Sequence, residues 1–293
     1  MQKGSSKHHC MNILITGAAG RVGKSLGRYL NKAGYKVVAV DIVKQDGVVA
    51  ADLQDEAVAF ELVRTYAPDL ILHLAALTNL QFCEENKAAS HAANYAMTEV
   101  LVKVCSAFGT AMVFFSSDYV FGKYDKFWRE NDPVCPKTQY GRDKAAAESL
   151  IQRSLSDYAI IRTAQLYGFA GDFVSLVRKT LTSQQKFTAF ANLVNCPTWT
   201  GDLFPMLNKI IMEKHQGIFH CVGPEAMSRY AYACAVAEVF ALDIASVEPV
   251  YLDFAKAMYP PVVRLDGAST YKKLGIYPSK LKDNLKLWSE CYV

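Results

Sequence analysis

No apolar run in these 293 residues approaches the ~20 needed to cross a bilayer as a helix, so no membrane span is expected. Basic blocks are missing too. The 32 Lys and Arg stand against 28 Asp and Glu, for a formal charge of +4, which gives no argument for a nucleic-acid partner. The eight cysteines (10, 83, 105, 135, 196, 221, 234 and 291) are scattered and form no Cys-x-x-Cys pair. That argues against a zinc site and against a disulfide scaffold, so no metal is expected, and reduced thiols in a cytoplasmic protein are the simplest reading. No internal repeat or low-complexity linker is visible. Met1 to Cys10 are polar, carry His8-His9 and lack the apolar centre of a signal peptide. They read as a leader or an appended remnant, with Met11 opening the folded chain.

What is present is a chain that is 51% hydrophobic and long enough for one large or two modest domains. Asn12-Ile13-Leu14-Ile15-Thr16 is a short apolar run, predicted as a buried strand. Gly17-Ala18-Ala19-Gly20-Arg21-Val22-Gly23 follows, then a helix to about Ala33 that Gly34 stops. Tyr35 to Val40 is a second strand, closed by Asp41. Strand, glycine turn, helix, strand and terminal acid form one βαβ unit, the context that gives GxxGxxG its weight. Gly17 permits the tight turn, Gly20 lets backbone approach a pyrophosphate, and Gly23 allows close packing of helix on strand. The start of the helix then offers free N–H groups to an anion.

Asp41 is placed to accept hydrogen bonds from an adenosine ribose diol and to repel a 2′-phosphate, which favours NAD(H). Arg21 and Lys44 soften that preference and admit NADP(H). Asp41 as a plain turn residue is the alternative. Asp52, beside Leu53, is a candidate for the adenine amino group or, equally, a helix N-cap. After the strand Asp69 to Leu74 come Ala75, Ala76, Leu77 and Thr78. The alanines leave room for a flat cofactor against the backbone, and plain core packing explains them almost as well. A helix is predicted from Lys87 to Phe108. Within it, Asn94 is either a solvated residue or an inward amide fixing a backbone bend or a water. His73 reads as an interior residue rather than a base.

Ala111 to Phe115 forms the next strand and ends at Ser116-Ser117. Tyr140 and Lys144 then stand four apart on an Ala-rich helix, so phenol and ammonium share a face. Ligands of open parallel sheets bind beyond the strand ends, where Ser117 lies. Tyr titrates near ~10, so bringing it to neutrality asks about 4 kcal/mol of a nearby ammonium and a positive nicotinamide. Ser117 and Tyr140 would hydrogen-bond a carbonyl oxygen, hydride would reach its carbon from a nicotinamide, and Tyr140 would give up its proton. A surface-stacked Tyr–Lys pair is the bland alternative.

Strands alternate with helices through Gly168, which predicts a doubly wound parallel α/β sheet over residues 11–168. Residues 169–293 read as a smaller substrate-binding part. Helices are expected at Val174–Leu181, Leu203–Met212, Ser228–Ala241 and Leu281–Trp288, with short strands in Lys186–Asn195 and a strand at Gly217–Val222. The segment around 200–222 is expected to return to the first domain.

From Met11 nearly to the end the chain resembles an extended short-chain dehydrogenase/reductase. TGAAGRVG (16–23), the Ser-Ser pair and YGRDK (140–144) carry that resemblance. SSDYVFG (116–122), IIRTAQLYG (160–168), Cys196-Pro197-Thr198 and GIFHCVG (217–223) resemble the dTDP-4-dehydrorhamnose reductase branch. The resemblance implies NAD(P)H-dependent reduction of a nucleotide-linked 4-keto-6-deoxy sugar by a cytoplasmic homodimer. It sets Ser117 at the family's catalytic Thr, completes a triad with Tyr140 and Lys144, and puts Asp118 and Gln165 at sugar-contacting positions. The chain departs from the branch at Gln165, where many members have Trp, and at Gln81-Phe82, where an acidic-basic pair is usual. Sugar-nucleotide 4,6-dehydratases carry Asp-Glu after the Ser or Thr, whereas Asp118 is followed by Tyr119. A 4-epimerase uses the same triad. Gly217 to Val250 also resembles the regulatory beta subunit of methionine adenosyltransferase, which keeps the fold and serves as a binding partner.

Overall fold

The computed structural model describes residues 11–254 and 259–292, so the Met1–Cys10 leader lies outside the described residues. Five strands lead the chain: β1 (Asn12–Thr16), β2 (Lys36–Asp41), β3 (Val49–Ala50), β4 (Leu70–His73) and β5 (Ala111–Ser117). With Tyr158–Thr163 and Gly217–His220 they form one parallel sheet. From one edge its order is Gly217–His220, Tyr158–Thr163, β5, β4, β1, β2, β3. The order reverses between β1 and β4, the place where an open α/β sheet leaves a crevice at its carboxyl end.

The helices follow from the same alternation. α1 (Arg21–Lys32) buries Leu26 and Leu30 on one sheet face, beside Ile13, Ile15, Leu72 and Phe115. The other face packs Leu14, Val40, Ile71 and Phe114 against helices that include α2 (Glu56–Tyr66). The N-cap of α2 is Asp55, which accepts from the N–H of Ala57 and Val58, rather than Asp52. Asp52 instead closes a turn just before it, accepting from Gln54 N at 3.0 Å.

The single helix expected from Lys87 is subdivided. A short α3 (Leu80–Glu85) precedes it, α4 (Lys87–His91) runs into a π-helical turn at Ala92–Ala96, and α5 (Met97–Phe108) continues to the αL cap at Gly109. The π turn is where Asn94 faces inward. α6 (Gln139–Ser154) starts at Thr138, whose hydroxyl accepts from Gly141 N at 2.9 Å, and packs Ala147 and Ile151 on the same sheet face as α5.

Farther along come α7 (Phe173–Thr182), α8 (Thr200–Met212), α9 (Arg229–Val239), α10 (Ala268–Leu274) and α11 (Leu281–Tyr292). α7, α9 and α11 build a second core around Val177, Tyr232, Val236, Leu285 and Trp288, beside the parallel pair Phe187–Phe190 and Val247–Val250. α8 belongs elsewhere. Leu203, Leu207 and Ile210 pack on the face that holds α1, and Gly217–His220 adds a strand to the main sheet. The chain thus crosses to the second lobe and back, which leaves a cleft between the sheet's carboxyl edge and the residues that start α9.

Candidate active site

The turn after β1 shapes the first half of the cleft. Gly17 has φ +71°, and a Cβ there would sit 2.7 Å from Ala75 N. A Cβ on Gly23 would sit 2.3 Å from Gly17 O, so only glycine lets α1 pack this closely on the turn. No side chain caps α1 at Gly20, so its first N–H groups face the cleft unclaimed by a cap. Asp41 braces this turn: its two oxygens accept from Ala19 N at 2.9 Å and Val43 N at 3.0 Å. The cavity here measures about 560 Å³, and Gly17, Gly20, Arg21, Val22, Gly23, Asp41, Asp52, Leu53, Ala75, Ala76 and Thr78 all line it. A bare helix start, a carboxylate at the end of β2 and an alanine-walled slot have the chemistry that suits a dinucleotide.

Asn94 does not line that cavity. It is buried beneath it, and its amide is spent on Leu77, accepting from Leu77 N at 2.9 Å and donating to Leu77 O at 3.1 Å. Its contribution is to hold the Ala75–Thr78 segment in shape. The same amide donates to Ser90 Oγ at 3.3 Å, and Ser90 donates to Asp143 Oδ2 at 2.6 Å, which ties the segment to α6. His73 is an interior residue, bonded to Thr16 Oγ1 at 2.8 Å and Thr98 Oγ1 at 3.0 Å, and burial pushes its pKa down to about 3.

A second cavity of about 500 Å³ adjoins the first and shares Arg21, Val22, Leu74, Ala76 and Thr78 with it. Ser117, Tyr140 and Lys144 meet in its wall. Gly141 makes this meeting feasible: a Cβ there would lie 2.1 Å from Tyr119 O, so glycine lets α6 press against the turn after β5. One stripe of α6 then grips the end of β5. Lys144 Nζ donates to Phe115 O at 2.9 Å, and Glu148 Oε1 accepts from Ser116 Oγ at 2.5 Å. Glu148 also forms a buried ion pair with Arg162, at 2.7 Å.

The electrostatics differ from the expectation that Lys144 lowers the Tyr140 pKa. Tyr140 is only 7% exposed. Its pKa is pushed up, first by burial and then by the Asp118 charge, while Ser117 as a hydrogen-bond partner pulls it back. Lys144, 1% exposed, is pushed down to about 7 by burial, against the supporting charge of Glu148. The reason is tertiary: both groups sit under the sheet edge, where burial is the largest influence on each. A phenol held protonated is nonetheless the form that donates a proton.

Asp118 and Gln165 also line this cavity. Both oxygens of Asp118 are engaged, Oδ1 by Ser117 Oγ at 2.9 Å and Oδ2 by Asn195 Nδ2 at 2.6 Å. Gln165 adopts φ 45°, a left-handed conformation uncommon outside glycine. Three polar residues not singled out from sequence also line the wall: Thr163, Asn195 and Arg229. Thr163 Oγ1 and Asn195 Oδ1 are buried with no hydrogen-bond partner inside the described protein. The one signal for Asn195 is its place just before Cys196-Pro197-Thr198. Arg229, first in α9, carried none. Among the described residues no group of His, Cys, Asp and Glu is arranged to hold a metal ion.

Comparison with known proteins places this geometry in a family. The family model described as "RmlD substrate binding domain" matches residues 11–292. The spore coat polysaccharide biosynthesis protein SpsK of Bacillus subtilis is 29% identical over 276 residues, covering 94% of this chain and 95% of that protein. A dTDP-4-dehydrorhamnose reductase of Mycolicibacterium smegmatis is 31% identical over 244 residues, 81% of this chain and 72% of that one. Methionine adenosyltransferase 2 subunit beta of Xenopus laevis is 27% identical over 248 residues, 81% and 74% of the two chains. A solved dTDP-4-dehydrorhamnose reductase from Bacillus anthracis, in complex with NADP, shares the fold. Its TM-score is 0.87 over 97% of this chain and 99% of that one, at 24% identity. The match from Met11 to the last helix, over a seven-stranded parallel sheet with Ser117, Tyr140 and Lys144 at its carboxyl edge, means that the chain belongs to the RmlD-like family of extended short-chain dehydrogenase/reductases.

Proposed function

We propose that the protein is an NAD(P)H-dependent reductase of a nucleotide-linked 4-keto-6-deoxy sugar. The observation that carries this reading is the wall shared by Tyr140, Lys144 and Ser117 in a cavity that opens onto the dinucleotide-shaped cleft. The Mycolicibacterium smegmatis relative, named as a dTDP-4-dehydrorhamnose reductase, supports the same class of reaction. Ser117, Tyr140 and Lys144 are assigned the catalytic roles. Gly17, Gly20, Arg21, Val22, Gly23, Asp41, Asp52, Leu53, Ala75, Ala76 and Thr78 are assigned to the dinucleotide together with Tyr140 and Lys144, with Asn94 shaping the backbone beneath it, and Ser117, Asp118 and Gln165 are assigned to the sugar.

When bound, the reduced nicotinamide supplies the hydride. The chain supplies the rest. Tyr140 hydrogen-bonds the sugar carbonyl oxygen and gives its phenolic proton to the forming alkoxide, a transfer its raised pKa keeps available at neutral pH. Lys144 holds Phe115 O at the end of β5 and adds positive charge beside the phenol when protonated. Arg229 places a cation in the substrate cavity, suited to an anionic diphosphate.

The test is oxidation of NADH and NADPH by purified protein with dTDP-, GDP- and UDP-linked 4-keto-6-deoxy sugars. Turnover with one of them sustains the reading. Tight dinucleotide binding with no reduction of any keto sugar refutes it in favour of a regulatory subunit, and interconversion of 4-hydroxyl epimers without net oxidation refutes it in favour of a 4-epimerase.

A further inference from the structure

Ser117 is needed as a hydrogen-bond donor to the carbonyl oxygen, yet its proton is already committed. A hydroxyl has one donor and two acceptor positions. Ser117 Oγ donates to Asp118 Oδ1 at 2.9 Å and accepts from Tyr119 N at 3.2 Å. Nothing is left on it to donate into the cavity while Asp118 is a carboxylate. The other oxygen of Asp118 accepts from Asn195 Nδ2 at 2.6 Å, so an added proton has its place on Oδ1, facing Ser117. Asp118 is 2% exposed, and all three side chains line the substrate cavity.

We propose that Asp118 is a positioning residue whose protonation state sets the direction of the Ser117 hydroxyl. As a carboxylate it holds the Ser117 proton. Once protonated on Oδ1, it donates to Ser117 Oγ and turns the Ser117 proton toward the substrate carbonyl. No bond between heavy atoms forms or breaks, and the proton that Asp118 takes up comes from solvent.

The surroundings make such a switch workable near neutrality. Burial pushes Asp118 up to about 6, while Ser117, Asn195 and the Arg229 cation at the head of α9 favour its charge. Tyr119 in the turn after β5, Tyr140 on α6 and Cys196 in the loop before Thr198 also face it, and burial drives the pKa of each upward, so they stay neutral there. The carboxylate therefore titrates against one facing cation and three neutral groups, and its main hydrogen-bond donor is the catalytic hydroxyl itself. Asp118 accordingly acts on the sugar carbonyl through Ser117.

The use of this switch in turnover rests on the reductase reading, but the switch itself is readable without turnover. Carbon-13 NMR of protein carrying carboxyl-labelled aspartate, assigned with Asp118→Asn, follows the ionisation directly. Ser117→Ala removes the donor to the charged form, so the Asp118 midpoint is expected to move upward by about one pH unit. An unmoved midpoint overturns the proposal. In turnover, wild-type kcat is expected to fall as pH rises through the Asp118 midpoint. Lys144 titrates at about 7 and gives a limb of its own, so Asp118→Asn, whatever its absolute rate, is expected to lose only the component centred on the Asp118 midpoint read by NMR. A component retained at the Asp118 midpoint in Asp118→Asn overturns the proposal as well. If the NMR midpoint moves in Ser117→Ala and no keto sugar is turned over by any form, the switch stands and the reductase reading is the part that fails.

Discussion

Replacing Lys144 by Met should make the protein more stable while stopping its chemistry. Lys144 is buried, and its pKa falls from 10.5 to about 7. At about 1.4 kcal/mol per unit, holding the ammonium in place costs on the order of 5 kcal/mol relative to the neutral amine. Met keeps the stem's packing and loses the bond to Phe115 O, which returns about 1–2 kcal/mol of that gain. The net expectation at pH 6 is a stabilisation of about 3 kcal/mol, or a urea midpoint higher by ~1 M at a slope near 3 kcal/mol/M. The pH dependence is the sharper part. Because the folded-state value is depressed, the unfolded chain binds more protons between pH 7 and pH 10.5, so wild-type stability rises with pH across that window. The advantage of the variant should therefore shrink by about 1.4 kcal/mol per pH unit from pH 7 upward. Urea titrations of both proteins at several pH values, followed by tryptophan fluorescence, measure it. A gap that stays constant with pH, or a variant less stable at pH 6, would refute the claim that Lys144 is held at a desolvation cost.

Four further outcomes are expected. Tyr140→Phe should retain dinucleotide binding by calorimetry and lose turnover, because only the proton donor is removed. Asp41→Ala should weaken NADH binding more than NADPH binding; equal losses in the two titrations would remove Asp41 from the ribose. Gly141→Ala should lower the thermal midpoint, at a cost of about 2–3 kcal/mol, since its Cβ would meet Tyr119 O at 2.1 Å. Arg162→Met should destabilise by about 3–5 kcal/mol by leaving the Glu148 charge buried and unpaired, and adding Glu148→Leu should recover most of that loss in the same denaturation assay.

The parts legible in the sequence are those whose cause is local. The β1 run, the glycine turn, α1 and the acid at the end of β2 are written in adjacent residues, and the structure keeps them together. Tyr140 and Lys144 share a face because a helix repeats every 3.6 residues. The partners of Asp118 were not legible in that way. Asn195 lies 77 residues from it, and Arg229 arrives at the head of a helix in the other lobe. No spacing rule links residues that meet only after the chain has crossed and returned. The direction of the Tyr140 pKa was out of reach for the same reason, since burial is a property of the packed molecule. Asp52 shows a smaller limit: two acids at 52 and 55 could each cap α2, and only the backbone decides for Asp55.

The π-helical turn at Ala92–Ala96 has a consequence for the gene. Such a turn closes its hydrogen bonds over one residue more than an α-helix does, so it behaves as a one-codon insertion in an otherwise regular helix. Deleting a single residue there would draw the wide turn in and restore an ordinary helix, with the turns on either side kept close to their present register. Asn94, which the wide turn holds inward, would lose its place against Leu77. Substituting Asn94 removes its side-chain bonds to Leu77 and Ser90, whereas this deletion also takes away the wide turn that places them. The length of the helix, and not only its composition, is thus under constraint: Lys87 to Phe108 should tolerate many exchanges of side chain and very few changes of frame-preserving length.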